Sequence, residues 1–260
     1  MKLISYISSL IIGASLILVF EPFNFWFLTF FIPLSLYFLI KDHDIKSSFY
    51  LGWFFGFGLW LIGIFWIENS IYFYGGATKS VSYFLVICLS AFLALLNGIF
   101  FGIFAYCKTK TNFDILFLFP SIWVGSEWIR EFLLSGFPWF YLGYTSLDNF
   151  FFSGFIPIFG VFGMSFILIF IPALIFVLGE SLISGRQKNI SLIYLTIFSL
   201  FLIASFSSYE VEWTTKKDEV NIVIIQPNIS IEEKWSFQGE NESINLFKSK
   251  IKEHSVKSKD

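Results

Sequence analysis

The sequence predicts an α-helical polytopic membrane protein with about seven transmembrane helices, followed by the opening of a soluble domain. Of its 260 residues, 56% are hydrophobic and only 14% are charged, whereas soluble domains average about 25% charged residues. The apolar residues fall into runs close to the 17–25 residues that cross about 30 Å of hydrocarbon. After residue 207 the chain turns polar. We therefore predict a transmembrane domain over residues 1–207 and the beginning of a second domain over residues 208–260.

Seven apolar segments are the predicted spans. They are residues 3–20, 23–40, 48–67, 81–106, 113–129, 153–178 and 190–207. The first has the position of a signal peptide, but it lacks a small-residue cleavage site and runs through Glu21 and Pro22 into the second. A retained helical hairpin is therefore predicted at the N-terminus.

Lysine and arginine residues in the short loops predict the orientation. With the N-terminus in the cytoplasm, seven of them lie on the cytoplasmic side and two on the opposite side. The seven are Lys2, Lys41, Lys46, Lys108, Lys110, Arg186 and Lys188, and the two are Lys79 and Arg130. Because cytoplasmic loops carry the excess of Lys and Arg, we predict a cytoplasmic N-terminus. Seven spans then place the polar tail on the outer face, which is the periplasm in a bacterium with two membranes.

The predicted outer loops, residues 68–80 and 130–149, are long, aromatic and glycine-rich. Aromatic residues favour membrane–water interfaces, so one interpretation is an aromatic belt. The other is an outward-facing pocket that opens to lipid on the side of the polar tail. The sequence leaves both open.

Glu127 and Arg130 lie close to the end of the fifth predicted span. Charged residues at such positions are costly and often functional. Three residues apart, the two share a helix face, so one interpretation is a structural ion pair at the outer interface. The other is that they orient a lipid head group or support the pocket.

The polar tail contains two recognisable patterns. Residues 220–225 read as a first β-strand, and residues 242–252 place Ile244, Phe247 and Ile251 at helical spacing. Lysines in the tail are offset by acidic residues, so no nucleic-acid site is predicted. Cys88 and Cys107 lie too far apart along one helix to pair with each other. No metal-ligand spacing occurs, and His43 and His254 are isolated, so no metal site is predicted.

Several motifs, taken in order, resemble the bacterial apolipoprotein N-acyltransferases. They are Phe20–Phe23, Gly52–Trp66, then Trp123, Glu127, Trp128 and Arg130, then Ser135–Trp139 (SGFPW), Leu142–Tyr144 (LGY), Gly154, Pro157 and Gly160–Phe166, and finally Val223–Asn228 with Lys234 and Trp235. The resemblance covers essentially all of residues 1–250. It implies an inner-membrane enzyme whose nitrilase-like αββα domain lies in the periplasm.

The resemblance also implies a reaction. An acyl chain passes from a phospholipid, typically phosphatidylethanolamine, to a Cys thiolate, and then to the α-amino group of a diacylglyceryl-cysteine at the N-terminus of an apolipoprotein. A Glu serves as general base, a Lys stabilises the oxyanion, and no metal or organic cofactor is required. The expected partners are therefore the phospholipid donor, the diacylglyceryl-apolipoprotein acceptor and the membrane.

The family's catalytic Glu, Lys and Cys match no residue of this chain, so no catalytic residue is predicted in it. We expect a family chain shortened by a frameshift or early stop. The predicted substrate-binding residues are Trp235, Trp139, Phe137, Glu127 and Arg130, although Trp235 also suits a packing role. The alternatives are a non-catalytic membrane half that needs a separate C-terminal half, and a small polytopic transporter.

Overall fold

Helices account for most of the computed structural model, which describes residues 2–147, 149–184, 188–209, 211–217, 222–230 and 236–257. The α-helices are α1 (Lys2–Ser15), α2 (Ile32–Ile40), α3 (Ile45–Gly63), α4 (Ile67–Phe73), α5 (Lys79–Cys107), α6 (Phe119–Phe132), α7 (Ile156–Ser184), α8 (Lys188–Tyr209) and α9 (Phe237–Lys257). Short 3₁₀ helices lie at Leu16–Val19, Trp26–Phe30, Leu133–Ser135, Leu142–Ser146 and Ser153–Phe155. The chain divides into two units, residues 1–213 and residues 214–260.

Four helices among the described residues are long and apolar enough to cross a membrane. They are Ile45–Gly63, Lys79–Cys107, Ser153–Ser184 and Ser191–Tyr209. Two further apolar helices, Leu3–Val19 and Trp26–Ile40, are shorter. The prediction of a membrane-helical fold is thus confirmed, whereas the count of seven spans stays a prediction.

The fifth predicted span contains an irregularity that hydropathy does not reveal. Helical backbone runs from residue 112 to residue 132, but Asp114–Leu118 is a π-helix, and the α-helix α6 begins after it at Phe119. Pro120 lies in the first turn of α6, and proline cannot donate the backbone hydrogen bond that a continuing α-helix requires there. The π turn therefore lies directly before the position where the proline interrupts the backbone hydrogen bonding.

Helix α3 packs against α1 on one side through a close backbone approach. The Ser9 hydroxyl of α1 donates a hydrogen bond of 2.6 Å to the carbonyl oxygen of Leu51. Further along, a Cβ atom on Gly58 would overlap the carbonyl oxygen of Leu10. Small residues let membrane helices approach this closely, so the α1–α3 contact depends on Gly58 having no side chain.

On its other side α3 packs against α5 around a buried polar pair. Trp60 is fully buried, and its Nε1 donates a hydrogen bond of 3.0 Å to Oδ1 of Asn97. A Cβ atom on Gly56 would lie 2.5 Å from that same oxygen. The asparagine therefore fits against a glycine on the facing helix and leaves the indole N–H satisfied.

The turn between α5 and the π-helix is held by two ionisable side chains. Asp114 accepts hydrogen bonds from the Thr109 backbone nitrogen at 2.8 Å and from the Lys110 nitrogen at 2.6 Å. Lys110 has a φ of 61°, which non-glycine residues seldom adopt. Nearby, Lys108 Nζ donates to the carbonyl oxygen of Lys41 at 2.8 Å, so the loops after α2 and α5 meet at one end of the bundle.

Replacing Asp114 by alanine is expected to destabilise this turn. The change removes the acceptor of two backbone N–H groups beside a residue at positive φ. Because Thr109 and Lys110 are exposed, water can replace the carboxylate, and we expect a loss of about 0.5–1.5 kcal/mol per hydrogen bond. Thermal unfolding in detergent, followed by tryptophan fluorescence, should show a lowered midpoint. Asp42→Ala, an exposed carboxylate in the loop after α2, is the matched control. Equal midpoints for the two variants would contradict the role given to Asp114.

In the second unit, the strand predicted over residues 220–225 is not found in the part of it that the structure describes. Residues 222–230 have no regular secondary structure, and Ile222 and Ile224 are 77% and 88% exposed. A strand needs a neighbouring strand for its backbone N–H and C=O groups, and residues 222–225 are not in a strand. The predicted helix over residues 242–252 is confirmed and is longer, as α9.

Candidate functional site

Glu127 is buried within the protein, with 2% of its surface exposed. Its Oε1 accepts two hydrogen bonds of 2.9 Å, one from Trp123 Nε1 on the preceding helical turn and one from the backbone nitrogen of Leu142. Its Oε2 is buried without a hydrogen-bond partner. The carboxylate therefore ties α6 to the 3₁₀ helix Leu142–Ser146.

Arg130 lies one turn further along α6 and is also buried, at 5% exposure. Its guanidinium group lies over the Trp60 ring at 4.8 Å from the centroid and over the Tyr141 ring at 5.1 Å. Both rings present the negative face that attracts a cation. Burial raises the pKa of the Tyr141 hydroxyl, so this neighbour is neutral near pH 7.

The edge of that guanidinium group has unused hydrogen-bond donors. Arg130 Nε and Nη2 are buried and have no partner, and neither bonds to Glu127. The described contacts of the two side chains include no ion pair between them. Glu127 bonds to Trp123 and Leu142 instead, while the two buried charges still interact electrostatically. Both interpretations of the pair, structural and functional, therefore stay predictions.

The turn after α6 brings two of the predicted aromatic residues together. Gly136, at a φ of 90°, reverses the chain, and the Phe137 nitrogen donates to the carbonyl oxygen of Arg130 at 2.9 Å. The Trp139 ring then stacks between Trp66, at 4.9 Å, and Phe137, at 5.5 Å. The rings of Phe137 and Trp139 are half-buried against other aromatic side chains. An aromatic belt at the membrane interface does not require such contacts between rings.

Phe137 also contacts Trp60 edge-to-face at 5.6 Å. Four rings are therefore in contact one after another, in the order Trp66, Trp139, Phe137 and Trp60. We call them the aromatic stack. It runs from the start of α4 to the ring that lies against Arg130. The stack joins the predicted aromatic residues to the predicted ionisable ones.

Four of the five predicted site residues are thus brought together, namely Glu127, Arg130, Phe137 and Trp139. Trp235 lies outside the described residues. Sequence reasoning missed Trp60 and Tyr141, which hold Arg130. Trp60 is one of many aromatic residues in an apolar run. Its contact with Arg130 of α6 distinguishes it, and the sequence does not show that contact. Tyr141 could have been found from its place next to the SGFPW motif.

A groove of about 340 Å³ opens beside this cluster, between α5 and the turn after α6. Arg130 is the one charged side chain that lines it. The remaining lining is apolar and consists of Leu89, Phe92, Leu93, Leu95, Leu96, Ile99, Leu133, Gly136 and Phe137.

Residues 12–174 match the family model described as the apolipoprotein N-acyltransferase N-terminal domain. That range is more than half of the chain. The chain belongs to the apolipoprotein N-acyltransferase family. The range includes Glu127, Arg130, Phe137, Trp139 and the groove, so the candidate site lies within the part of the N-acyltransferase fold that the family shares.

Individual relatives extend the similarity beyond that range. The apolipoprotein N-acyltransferase of Pasteurella multocida (strain Pm70) is 30% identical over 256 residues, covering 97% of this chain and 48% of the relative. Those of Coxiella burnetii and Haemophilus influenzae are 33% and 30% identical, covering 87% and 90% of this chain and 46% and 44% of the relatives. The chain therefore spans about half the length of the curated apolipoprotein N-acyltransferases that it matches.

Proposed function

We propose that this chain supplies the membrane-embedded part of an apolipoprotein N-acyltransferase and presents the phospholipid acyl donor. The observation that carries the proposal is the aromatic stack, which assembles Phe137 and Trp139 of the SGFPW motif within the segment that matches the family. Flat, half-buried rings supply a large apolar contact area for an acyl chain at little entropic cost. The donor is phosphatidylethanolamine-like and the acceptor is a diacylglyceryl-apolipoprotein.

The reaction proceeds through two acyl transfers. A cysteine thiolate attacks an ester carbonyl of the phospholipid, forming a thioester and releasing a lysophospholipid. The α-amino group of the lipoprotein's N-terminal cysteine then attacks the thioester, forming an amide and returning the thiol. The thiolate, its general base and the oxyanion lysine come from the C-terminal half of the family's chain. Phe137, Trp139, Glu127 and Arg130 position the donor, and Trp235 contacts its acyl chain.

The proposed topology has seven spans in the bacterial inner membrane, with the N-terminus in the cytoplasm. Two contacts support it. The Lys108–Lys41 hydrogen bond joins two lysine-bearing loops at one end of the bundle. The stacking of Trp66, at the end of the third predicted span, on Trp139 brings that span end to the aromatic loop 130–149, which the topology places at the other end. Residues 208–260 then begin a periplasmic nitrilase-like domain, with α9 as its first helix.

Complementation tests this function. Residues 1–213 of this chain are joined to the remaining C-terminal part of the Pasteurella multocida relative, and the chimera is expressed in cells depleted of their own N-acyltransferase. We expect mass spectrometry of lipoproteins to show the triacylated N-terminus. Trp139→Ala should lower that product about tenfold, a loss of about 1.4 kcal/mol of transition-state stabilisation. Trp128→Ala is the matched control, because Trp128 is exposed and contacts only Phe132 among the aromatic rings.

Residues 1–260 expressed alone are expected to give no triacylated product. A triacylated lipoprotein from that chain alone would contradict the assignment of catalysis to the C-terminal half. A chimera that is folded and membrane-inserted but inactive would contradict the proposed donor-presenting role.

A further inference from the structure

The segment Gly160–Phe166 of α7 is one of the motifs that carry the resemblance, and the proposed donor site gives it no role. Gly160 has a φ of 61°, so α7 consists of two helical pieces that meet at a kink there. Within the second piece Ser165 is fully buried, with 0% of its surface exposed. Buried hydroxyl groups in proteins are hydrogen-bonded, and the partner of this one indicates what the motif does.

Ser165 holds the start of the 3₁₀ helix Leu142–Ser146 against α7. Its hydroxyl oxygen accepts a hydrogen bond of 2.8 Å from the backbone nitrogen of Gly143. The preceding backbone nitrogen, that of Leu142, donates to Oε1 of Glu127 on α6. The first N–H groups of a helix have no partner within it, and here two consecutive ones are held by side chains from two different helices. The Ser165 hydroxyl group also lies near enough to the Glu127 carboxylate to interact with it.

The backbone of the 3₁₀ helix lies directly against α7 at this point. A Cβ atom on Gly143 would overlap the carbonyl oxygen of Val161 and would lie 3.1 Å from the nitrogen of Ser165. The glycine of the LGY motif therefore fits against the first residue after the α7 kink. Beside it, the Phe162 ring contacts the Tyr141 ring at 5.3 Å between centroids. Two motifs that are separate in the sequence thus form one contact.

This contact extends to Arg130 through Tyr141. Tyr141 is 2% exposed, directly precedes Leu142, and lies with its ring 5.1 Å from the Arg130 guanidinium group. The position of its ring depends on the backbone of the next two residues, which Glu127 and Ser165 hold. Without the Ser165 hydroxyl group, the backbone at Gly143 is released on one side. The Tyr141 ring can then move from the cation that it stabilises.

We propose that Ser165 is a positioning residue for the donor site. It contacts neither the phospholipid nor the reacting atoms, and it acts through Gly143 and Tyr141 on the side chain of Arg130. The inference rests on the proposed function, because Arg130 affects the reaction only if it positions the phospholipid donor. It also gives the Gly160–Phe166 motif a role, which is to hold the LGY motif in place.

The kinetics of the chimera test the proposal. The chimera is purified in detergent, and dioleoyl-phosphatidylethanolamine is varied as a mole fraction of mixed micelles with a diacylglyceryl-peptide acceptor in excess. Ser165→Ala should raise the apparent KM for the donor about three- to tenfold, the effect of one hydrogen bond, and should leave kcat nearly unchanged. A merely structural role would reduce the amount of folded enzyme, which lowers the apparent kcat and leaves KM unchanged.

The matched control is Ser9→Ala. Ser9 is also fully buried, and its hydroxyl group also donates to another helix, at the Leu51 carbonyl oxygen of α3. Its described hydrogen bond does not involve the donor site, so this variant should keep the KM of the wild-type chimera.

A double-mutant cycle tests whether Ser165 acts through Tyr141. Tyr141→Leu removes the ring beside Arg130 and should raise KM, whereas Tyr141→Phe keeps the ring and should leave KM near that of wild type. Ser165→Ala combined with Tyr141→Leu should raise KM no further than Tyr141→Leu alone, because the two changes break the same connection.

The outcomes separate this inference from the proposed function. A wild-type KM for Ser165→Ala, or two effects on KM that multiply in the double variant, would overturn the role of Ser165 and leave the donor site standing. A wild-type chimera that is folded and membrane-inserted but inactive would overturn the donor-presenting role, and the role of Ser165 with it.

Discussion

Gly58→Ala is expected to separate α1 from α3 and to lower the thermal midpoint of the protein in detergent. A methyl group at this position would overlap the Leu10 carbonyl oxygen and lie 3.0 Å from the Ala14 nitrogen. Both are backbone atoms, so relief requires the helices to move apart. Overpacking of this kind costs about 1–3 kcal/mol or more, which corresponds to about 2–4 °C per kcal/mol for a chain of this size.

The matched control is Gly102→Ala in α5. Its added methyl group would lie 3.7 Å from the nearest atom, the Cβ of Phe49, which is ordinary contact. Alanine exceeds glycine in helix propensity by about 1 kcal/mol, so this variant should be neutral or slightly more stable. The difference between the two variants isolates the close approach of α1 to α3. A Gly58→Ala midpoint equal to that of Gly102→Ala would show that the two helices do not pack as described.

These two glycines also show where sequence reasoning ends. The apolar runs predicted the membrane helices, because transfer of apolar residues into lipid depends on composition over about 20 residues. Gly58 and Gly102 occupy equivalent patterns within such runs. What separates them is the distance to a neighbouring helix, which no local pattern contains.

The fifth predicted span illustrates a different limit. Hydropathy correctly placed helix over residues 113–129, but it could not show that Asp114–Leu118 would be a π-helix. That choice depends on the backbone requirement of Pro120 and on Asp114 closing the preceding turn. Such local hydrogen bonding is decided by a few atoms, whereas hydropathy averages over many residues.

The sequence predicted those residues of the candidate site that are charged or belong to a recognisable motif. Glu127 and Arg130 stood out as ionisable residues at a span end, and Phe137 and Trp139 stood out within SGFPW. The sequence did not show the contacts of the two charged side chains, because some of their partners are distant along the chain. Leu142 N binds Glu127, and Trp60 covers Arg130. Trp235 stays a prediction.

Glu127→Ala is expected to have the other large effect. The change leaves the Trp123 Nε1–H and the Leu142 backbone N–H without their acceptor, in surroundings where Glu127 is 2% exposed. Each unsatisfied buried donor costs about 1–3 kcal/mol, so the total is roughly 2–6 kcal/mol. Leu142 begins the 3₁₀ helix Leu142–Ser146. Loss of its hydrogen bond to Glu127 should therefore also loosen the contact between this 3₁₀ helix and α6. The thermal midpoint in detergent measures the change.

Two variants separate the hydrogen bonds from the charge. Glu131→Ala removes an exposed carboxylate from the next turn of the same helix. It should change the free energy of unfolding by about 0.5 kcal/mol or less, as surface changes do, and so should leave the thermal midpoint nearly unchanged. Glu127→Gln keeps an oxygen at the Oε1 position and can still accept both hydrogen bonds, so it should lose less than Glu127→Ala. If Glu127→Gln destabilised the protein as much as Glu127→Ala, the carboxylate would act through its charge on Arg130 and not through the two hydrogen bonds.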